Sequence, residues 1–168
     1  MIGSSLARTI KEYNISEKIY GLDNNSENLN RCKQLGILDK AESRLSNFSN
    51  QFELVIVCSP LSSYKKIFTE LNVYVTLETL LIDVGSTKMS VISDFKNSIK
   101  NKNINFVPCH PIAGLEKSGP DYGFAKLFEN RFCIITPIVN NLDLIKKATI
   151  FWNLIGMQTQ MMEPEHHD

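Results

Sequence analysis

The sequence has no cysteine pair at the short spacing used by zinc sites and redox-active thiols. Its four cysteines stand far apart, at Cys32, Cys58, Cys109 and Cys133. This spacing argues against a zinc site or a disulfide framework. Two of the cysteines, Cys58 and Cys133, fall in apolar runs that predict buried strands. We therefore expect plain thiols in a reducing compartment and no metal site.

An excess of either charge is also missing, since 18 basic side chains balance 18 acidic ones. No basic surface is expected to hold a nucleic acid backbone, and no block of like charge suggests a disordered tail. No apolar run approaches the about 20 residues that a membrane-spanning helix needs. The N-terminus lacks the layout of a signal peptide. The sequence predicts a cytoplasmic protein with neither a nucleic acid nor a membrane as partner.

What the sequence does contain is an alternation of short apolar runs and amphipathic stretches, within 168 residues of which 43% are apolar. The runs predict strands at 18–23, 53–58, 80–84, 104–107, 132–136 and 157–161. The other patterns predict helices at 26–35, 61–71, 88–100 and 142–154. This alternation predicts an α/β fold with a Rossmann-like, doubly wound and mostly parallel sheet, whose ligands bind at the carboxyl ends of the strands.

Two finer expectations concern burial. The run 53–58 is apolar throughout, which is typical of a strand covered on both faces. The helix at 88–100 places four apolar residues on one face, which should be buried. These four are Val91, Ile92, Phe95 and Ile99.

Gly3 and Asp23 have the spacing of a dinucleotide fingerprint, which needs three glycines at a strand-to-helix turn and an acidic residue about 20 positions on. Only Gly3 could be the third glycine. Asp23 ends a predicted strand, where its carboxylate could bind the ribose hydroxyls. Both features also occur by chance, so the pair alone leaves the question open. A 2′-phosphate would be repelled by Asp23, which predicts NAD rather than NADP. The reach of Arg31, the nearest arginine, is open.

Ser86 lies in a turn between a predicted strand and a predicted helix, within the segment 83–88. At the end of a strand, the hydroxyl of Ser86 would lie in the ligand-binding cleft. The alternative is that Ser86 or Thr87 merely caps the helix, a position that serine and threonine favour for local reasons.

His110 lies in a predicted loop, 107–120, with prolines on both sides at Pro108 and Pro111. Such a stiff segment suits a general base that must meet a substrate proton. The alternative is a structural histidine at a strand end. The remaining histidines, His166 and His167, are adjacent and point in different directions, which makes them poor candidates for a shared ligand set.

Three segments together resemble prephenate dehydrogenase, the enzyme of tyrosine synthesis that is called cyclohexadienyl dehydrogenase when it accepts arogenate. They are 3–7, 83–88 and 110–119. The resemblance spans nearly the whole chain, and the segment at His110 is its specific part. It implies NAD-dependent oxidative decarboxylation of prephenate or arogenate, giving 4-hydroxyphenylpyruvate or tyrosine, by a homodimer.

The resemblance also implies roles for single residues. His110 would accept the proton of the ring hydroxyl as hydride leaves the same carbon for the nicotinamide. Ser86 would hydrogen-bond that hydroxyl and help place the nicotinamide. Gly114 and Glu116 would lie at the substrate pocket, with Glu116 at its mouth. On the cofactor side, the lining residues would be Gly3, Asp23, Ser59, Pro60 and Ser86.

Both ends of the sequence suggest a cut. Residues 1–7 form the first turn of a helix with no strand before it, and Pro164 with its acidic neighbours is typical of a helix start. We expect 1–162 to be an NAD-binding domain that lacks its first strand. Residues 163–168 would begin a helical dimerisation domain that is otherwise absent, together with the arginine that binds the substrate carboxylate. This chain on its own is therefore expected to be inactive.

Three other interpretations compete. A different Rossmann-type dehydrogenase or reductase would leave the segment at His110 unexplained. A non-catalytic dinucleotide-binding module would need no histidine at the cleft. A truncated, inactive gene fragment would account for both ends.

Overall fold

The computed structural model describes residues 1–48, 52–100 and 104–168. Its helices are α1 (Ile2–Glu12), α2 (Ser26–Gln34), α3 (Tyr64–Leu71), α4 (Lys88–Ser98), α5 (Leu142–Leu154) and α6 (Pro164–His167). Its strands are β1 (Tyr20–Leu22), β2 (Lys40–Glu42), β3 (Leu54–Val57), β4 (Leu80–Asp83), β5 (Asn105–Val107), β6 (Cys109–Pro111), β7 (Phe132–Ile135) and β8 (Gln158–Met161). Short 3₁₀ turns lie at Leu45–Asn47, Leu61–Ser63, Pro120–Tyr122 and Ala125–Phe128.

The strands pair in three groups, and most of the pairs are parallel. β1 pairs with β2, and β4 lies between β3 and β5, all in parallel. In the third group β7 pairs with β8 in parallel and with β6 antiparallel. The mostly parallel Rossmann-like sheet expected from the sequence is confirmed.

Helices cover both faces of the central strands. Successive side chains of a strand point to opposite faces. Leu80 and Ile82 of β4 therefore lie in one core with apolar residues of α1 and α5. Leu81, between them, lies in a second core with apolar residues of α3 and α4. The two cores flank one strand, which is the doubly wound arrangement.

The predicted elements and the observed ones agree within two residues at most ends. The helix expected at 142–154 is α5 without change, and the apolar face predicted for α4 is buried in full. The helix expected at 61–71 begins instead as a 3₁₀ turn, and its α-helical part starts at Tyr64. The helix start expected after Glu163 is α6.

Two sequence expectations were wrong. β3 was expected to be covered on both faces, but Leu54, Val55 and Ile56 are only half-buried. Among the described strands β3 pairs with β4 alone, so one of its edges is not covered by a neighbour. The segment 107–120 was treated as a loop, but it includes the strand β6.

All four cysteines are free. Cys133 is buried on β7 as expected, whereas Cys58 lies just after the end of β3 and is only half-buried. No helix in the described ranges is long and apolar enough to cross a membrane.

Candidate active site

A buried ion pair connects the end of β4 with the start of β6. Asp83 Oδ2 accepts hydrogen bonds from Gly85 N at 2.8 Å and from Lys88 Nζ at 2.6 Å, and its Oδ1 accepts one from Cys109 N at 3.0 Å. Lys88 Nζ also donates to the Cys109 carbonyl at 2.6 Å. Buried charges require such partners because desolvation is costly. The pair therefore holds the backbone next to His110 in place.

His110 is the middle residue of β6 and stands opposite Ile134 of β7. Its neighbours Cys109 and Pro111 are buried, whereas His110 is half-buried. Since alternate residues of a strand face opposite ways, the register with β7 determines where the imidazole points. The side chain is positioned by a strand rather than by a flexible loop.

The His110 imidazole is held in its neutral form. Burial first of all, and then the nearby His167 and Lys88, lower its pKa to about 4, although Asp168 acts in the opposite direction. A neutral imidazole has one nitrogen lone pair free. At neutral pH the ring can therefore accept a proton, which is what a general base requires.

His167 on α6 contacts this ring. His110 Nδ1 and His167 Nε2 are 2.9 Å apart, and His167 Nδ1 lies 2.7 Å from Asp168 Oδ1. His167 was expected only as a poor ligand candidate beside His166, and its contact with His110 was not predicted. The two histidines are 57 positions apart in the sequence, so no local pattern indicates the contact.

Asp168 caps α4. Its carboxylate accepts hydrogen bonds from the backbone N–H of Lys88 at 2.7 Å and of Met89 at 2.9 Å. The side chain of Thr87, the residue at the helix start, makes no capping hydrogen bond and instead lies 2.6 Å from Ser90 Oγ. Thr87 thus occupies the N-cap position that the capping interpretation expected, but Asp168 accepts the capping hydrogen bonds in its place. Ser86 is exposed directly after the carboxyl end of β4.

Gly3 permits close packing of α1 against the end of β3. A Cβ atom at this position would lie 3.2 Å from Cys58 Cβ, which is tighter than nearly all such contacts. Close helix–strand packing is the role of the third glycine in a dinucleotide fingerprint. Ser59 and Pro60 follow Cys58 in the chain and are exposed. The structure thus brings Gly3 next to the strand end from which both of these residues extend.

Asp23 follows β1 and is half-buried. Its Oδ1 accepts a hydrogen bond from Asn25 N at 2.8 Å, and its Oδ2 accepts one from Asn28 Nδ2 at 3.0 Å. Each carboxylate oxygen retains further acceptor capacity. Asn25 caps α2 by accepting hydrogen bonds from two backbone N–H groups. The start of α2 therefore orients the Asp23 carboxylate, which can still accept a hydrogen bond from a further donor.

Arg31 is directed to an acidic partner. Its Nε and its Nη2 each lie 2.7 Å from Asp121 Oδ1. Gln34 Oε1 accepts a further hydrogen bond from Arg31 Nη1 at 3.1 Å. In the described residues the hydrogen bonds of the Arg31 guanidinium therefore go to Asp121 and Gln34.

Gly114 and Glu116 follow His110 on an exposed segment. Gly114 has a φ of +148°, and a Cβ atom there would lie 3.7 Å from Met1 Cε and 3.9 Å from Ile2 Cδ1. The segment therefore returns to the start of α1. Glu116 is exposed.

The carboxyl ends of β1, β3 and β4 carry Asp23, Ser59 and Ser86 respectively. Open parallel sheets bind dinucleotides at these ends. The close approach of Gly3 to Cys58 leaves little room for a side chain at position 3, in the first turn of α1. These three polar side chains, together with the close helix–strand packing at Gly3, fit a dinucleotide. Within the described ranges, no three histidine, cysteine or acidic side chains gather as metal ligands.

Comparisons with known proteins agree with this geometry. Residues 6–161 match the family model described as the nucleotide-binding domain of prephenate dehydrogenase. The chain is 31% identical over 169 residues to the cyclohexadienyl dehydrogenase of Zymomonas mobilis, covering all of this chain and 57% of that protein. It is 32% identical over 177 residues to the prephenate dehydrogenase of Bacillus subtilis, covering all of this chain and 46% of that one.

Solved structures give the same result. A crystal structure of prephenate dehydrogenase from Aquifex aeolicus in complex with hydroxyphenyl propionate and NAD⁺ superposes with a TM-score of 0.88 at 30% identity. The match covers 99% of this chain and 58% of the other. Synechocystis arogenate dehydrogenase shares the fold, with a TM-score of 0.86 at 18% identity. The chain spans about half the length of the curated relatives it matches.

Proposed function

Since this chain belongs to the prephenate dehydrogenase family, we propose that its protein oxidises and decarboxylates prephenate or arogenate with NAD, in tyrosine biosynthesis in the cytoplasm. The observation that carries this proposal is the position of His110 on β6, which the hydrogen bonds of Asp83 and Lys88 to Cys109 hold beside the end of β4. The other Rossmann-type dehydrogenases considered above leave such a histidine without a role.

The residues divide the chemistry between them. His110 accepts the proton of the substrate's ring hydroxyl through its free nitrogen lone pair. Ser86 donates a hydrogen bond that orients this hydroxyl. NAD, when bound, supplies the acceptor for the hydride that leaves the carbon bearing the hydroxyl. Carbon dioxide is then lost, and the ring becomes aromatic.

The preference for NAD over NADP is supported by Asp23 and Arg31. A carboxylate that keeps acceptor capacity suits the ribose hydroxyls and repels a 2′-phosphate. Arg31 is paired with Asp121 and so does not offset this repulsion. Gly3, Ser59 and Pro60 complete the cofactor side.

Gly114 and Glu116 are proposed to lie at the substrate pocket, since their segment leads from His110 back to the start of α1. Residues 1–162 are proposed as the NAD-binding domain, and the full-length protein is proposed to be a homodimer.

The test is the variant His110→Asn in the full-length protein. Removal of a general base lowers turnover by about 100- to 10,000-fold, while the affinity for NAD should be nearly unchanged. His166→Asn is the matched control, because His166 is exposed and adjacent to the histidine that contacts His110. A His110→Asn enzyme with near-normal turnover would overturn the assignment.

A further inference from the structure

His110, His167 and Asp168 form a continuous line of hydrogen-bonded side chains. His110 Nδ1 lies 2.9 Å from His167 Nε2, and His167 Nδ1 lies 2.7 Å from Asp168 Oδ1. The His167 side chain is only 7% exposed. Asp168 is in turn fixed by backbone N–H groups at the start of α4. The line therefore runs from a helix terminus to the imidazole of His110.

The carboxylate determines the direction of the hydrogen bonds along this line. Desolvation raises the pKa of Asp168, but the N–H groups of Lys88 and Met89 and the hydrogen bond from His167 outweigh it and leave the pKa below its ordinary value. An ionised carboxylate can only accept hydrogen bonds, so His167 Nδ1 carries a proton. With the proton of the His167 ring on Nδ1, its Nε2 accepts the hydrogen bond across the 2.9 Å contact with His110. His110 Nδ1 must therefore be the donor, which leaves the lone pair of His110 on Nε2.

We propose that His167 and Asp168 are positioning residues that hold His110 in its Nδ1–H tautomer, with Nε2 free to accept the proton of a substrate hydroxyl. The inference rests on the proposed function of His110 as a base. It assigns to His167 and Asp168 the task that a buried aspartate has beside the histidine of a serine protease, which is to fix the tautomer and stabilise the imidazolium that forms.

The surrounding charges show why such support is needed. His167 and Lys88 both disfavour a positive His110, whereas Asp168 favours it. Lys88 is itself paired with Asp83. When His110 takes up a proton, its Nδ1–H points to His167 Nε2, and the carboxylate of Asp168 at the far end of the line favours the new charge.

A spectroscopic test addresses the tautomer without measuring activity. Nitrogen-15 spectra of the histidine rings in the full-length protein distinguish Nδ1–H from Nε2–H through the nitrogen shifts. We expect His110 to be Nδ1–H in the native protein and to lose this preference in a folded His167→Phe variant. An Nε2–H tautomer of His110 in the native protein overturns the proposal, whatever the enzyme's activity.

A kinetic test separates positioning from mere packing. His167→Gln keeps a hydrogen-bond acceptor for His110, whereas His167→Phe keeps a ring without one. We expect His167→Phe to lower kcat by about 10- to 100-fold, as loss of an orienting partner typically does, with the KM for NAD unchanged. His167→Gln should recover most of kcat, and His166→Phe should have no effect.

The failures of the two proposals are distinguishable. Equal loss of kcat in His167→Phe and His167→Gln would show a purely structural role and overturn the inference. A normal kcat in His167→Phe would also overturn the inference. If His110→Asn were slow in the same experiment, the proposed role of His110 as the general base would still stand. Normal turnover in His110→Asn would instead remove the proposed function.

Discussion

The Lys88 ammonium lies 2.6 Å from the Asp83 carboxylate, and neither side chain is exposed to solvent. The carboxylate ends β4 and the lysine begins α4, while both also bind the backbone of Cys109 on β6. Burial raises the pKa of Asp83, and Lys88 counteracts this by favouring the ionised form. The pair connects the turn that carries Ser86 with the strand that carries His110.

We therefore expect Lys88→Met to be strongly destabilising, because it leaves Asp83 buried without its counter-charge. Breaking a buried pair on one side costs about 3–5 kcal/mol. The free energy of unfolding can be measured by denaturant titration, with the single, fully buried Trp152 as the fluorescent probe. Lys96→Met, on the exposed side of the same helix, should change stability by no more than about 0.5 kcal/mol. Similar losses in both variants would contradict the importance of the pair.

Asp23→Ala should weaken NAD binding and improve the relative use of NADP. A hydrogen bond to a charged group contributes about 1.5–3 kcal/mol, so the ratio of kcat/KM values for the two cofactors should shift by about tenfold or more. Glu27→Ala is the matched control, as Glu27 is an exposed acid in the first turn of α2. An unchanged ratio would remove Asp23 from the ribose site.

Gly123→Ala should destabilise the protein through steric overlap. A Cβ atom there would lie 2.2 Å from Ser4 Oγ and 2.9 Å from Ser5 N, in α1. Overpacking of this kind costs about 1–3 kcal/mol. The double variant Ser4→Ala, Gly123→Ala should regain part of the loss, since only the backbone contact remains. Thermal or denaturant unfolding of the three proteins checks this, and no recovery in the double variant would argue against the Ser4 contact.

The pKa of His110 predicts a pH dependence of stability. Its value in the folded protein is about 4, below the 6.5 of an unperturbed histidine, so the native state disfavours protonation. The contribution of the His110 side chain to the free energy of unfolding is fully present above pH 6.5 and is lost as the pH falls towards 4. The free energy of unfolding of His110→Asn should therefore fall less steeply in this window than that of the unmodified protein. Parallel curves would show that His110 does not titrate as described.

Sequence patterns predicted those helices whose ends and buried faces are determined by residues close by in the sequence. The bounds of α5 follow from Asn141, which caps its start, and from Gly156, whose φ of +97° suits the chain reversal after the helix. The burial of the four apolar residues Val91, Ile92, Phe95 and Ile99, in α4 and at its end, follows from helical spacing alone. The half-burial of β3 could not be predicted in this way, since its apolar composition does not reveal whether a neighbouring strand pairs with its edge.

The parts of the site that sequence reasoning missed depend on contacts between distant segments. Asp168 caps α4 from 80 residues away, and its function as a cap cannot be seen in the residues around Lys88. Two prolines, Pro108 before β6 and Pro111 within it, restrict the backbone of this segment. The segment forms a strand because β7 pairs with it. His110 was identified from its surroundings and from family resemblance, whereas its partner His167 required the fold.

One consequence concerns insertions and deletions. Pro108 alone separates β5 from β6, and β6 is held opposite β7. In a strand, a shift of one residue turns each side chain to the opposite face. A single inserted residue between Val107 and His110 would direct the imidazole away from His167 although no residue of the site had been lost. The length of this connection is therefore under a stricter constraint than the identity of the residues within it.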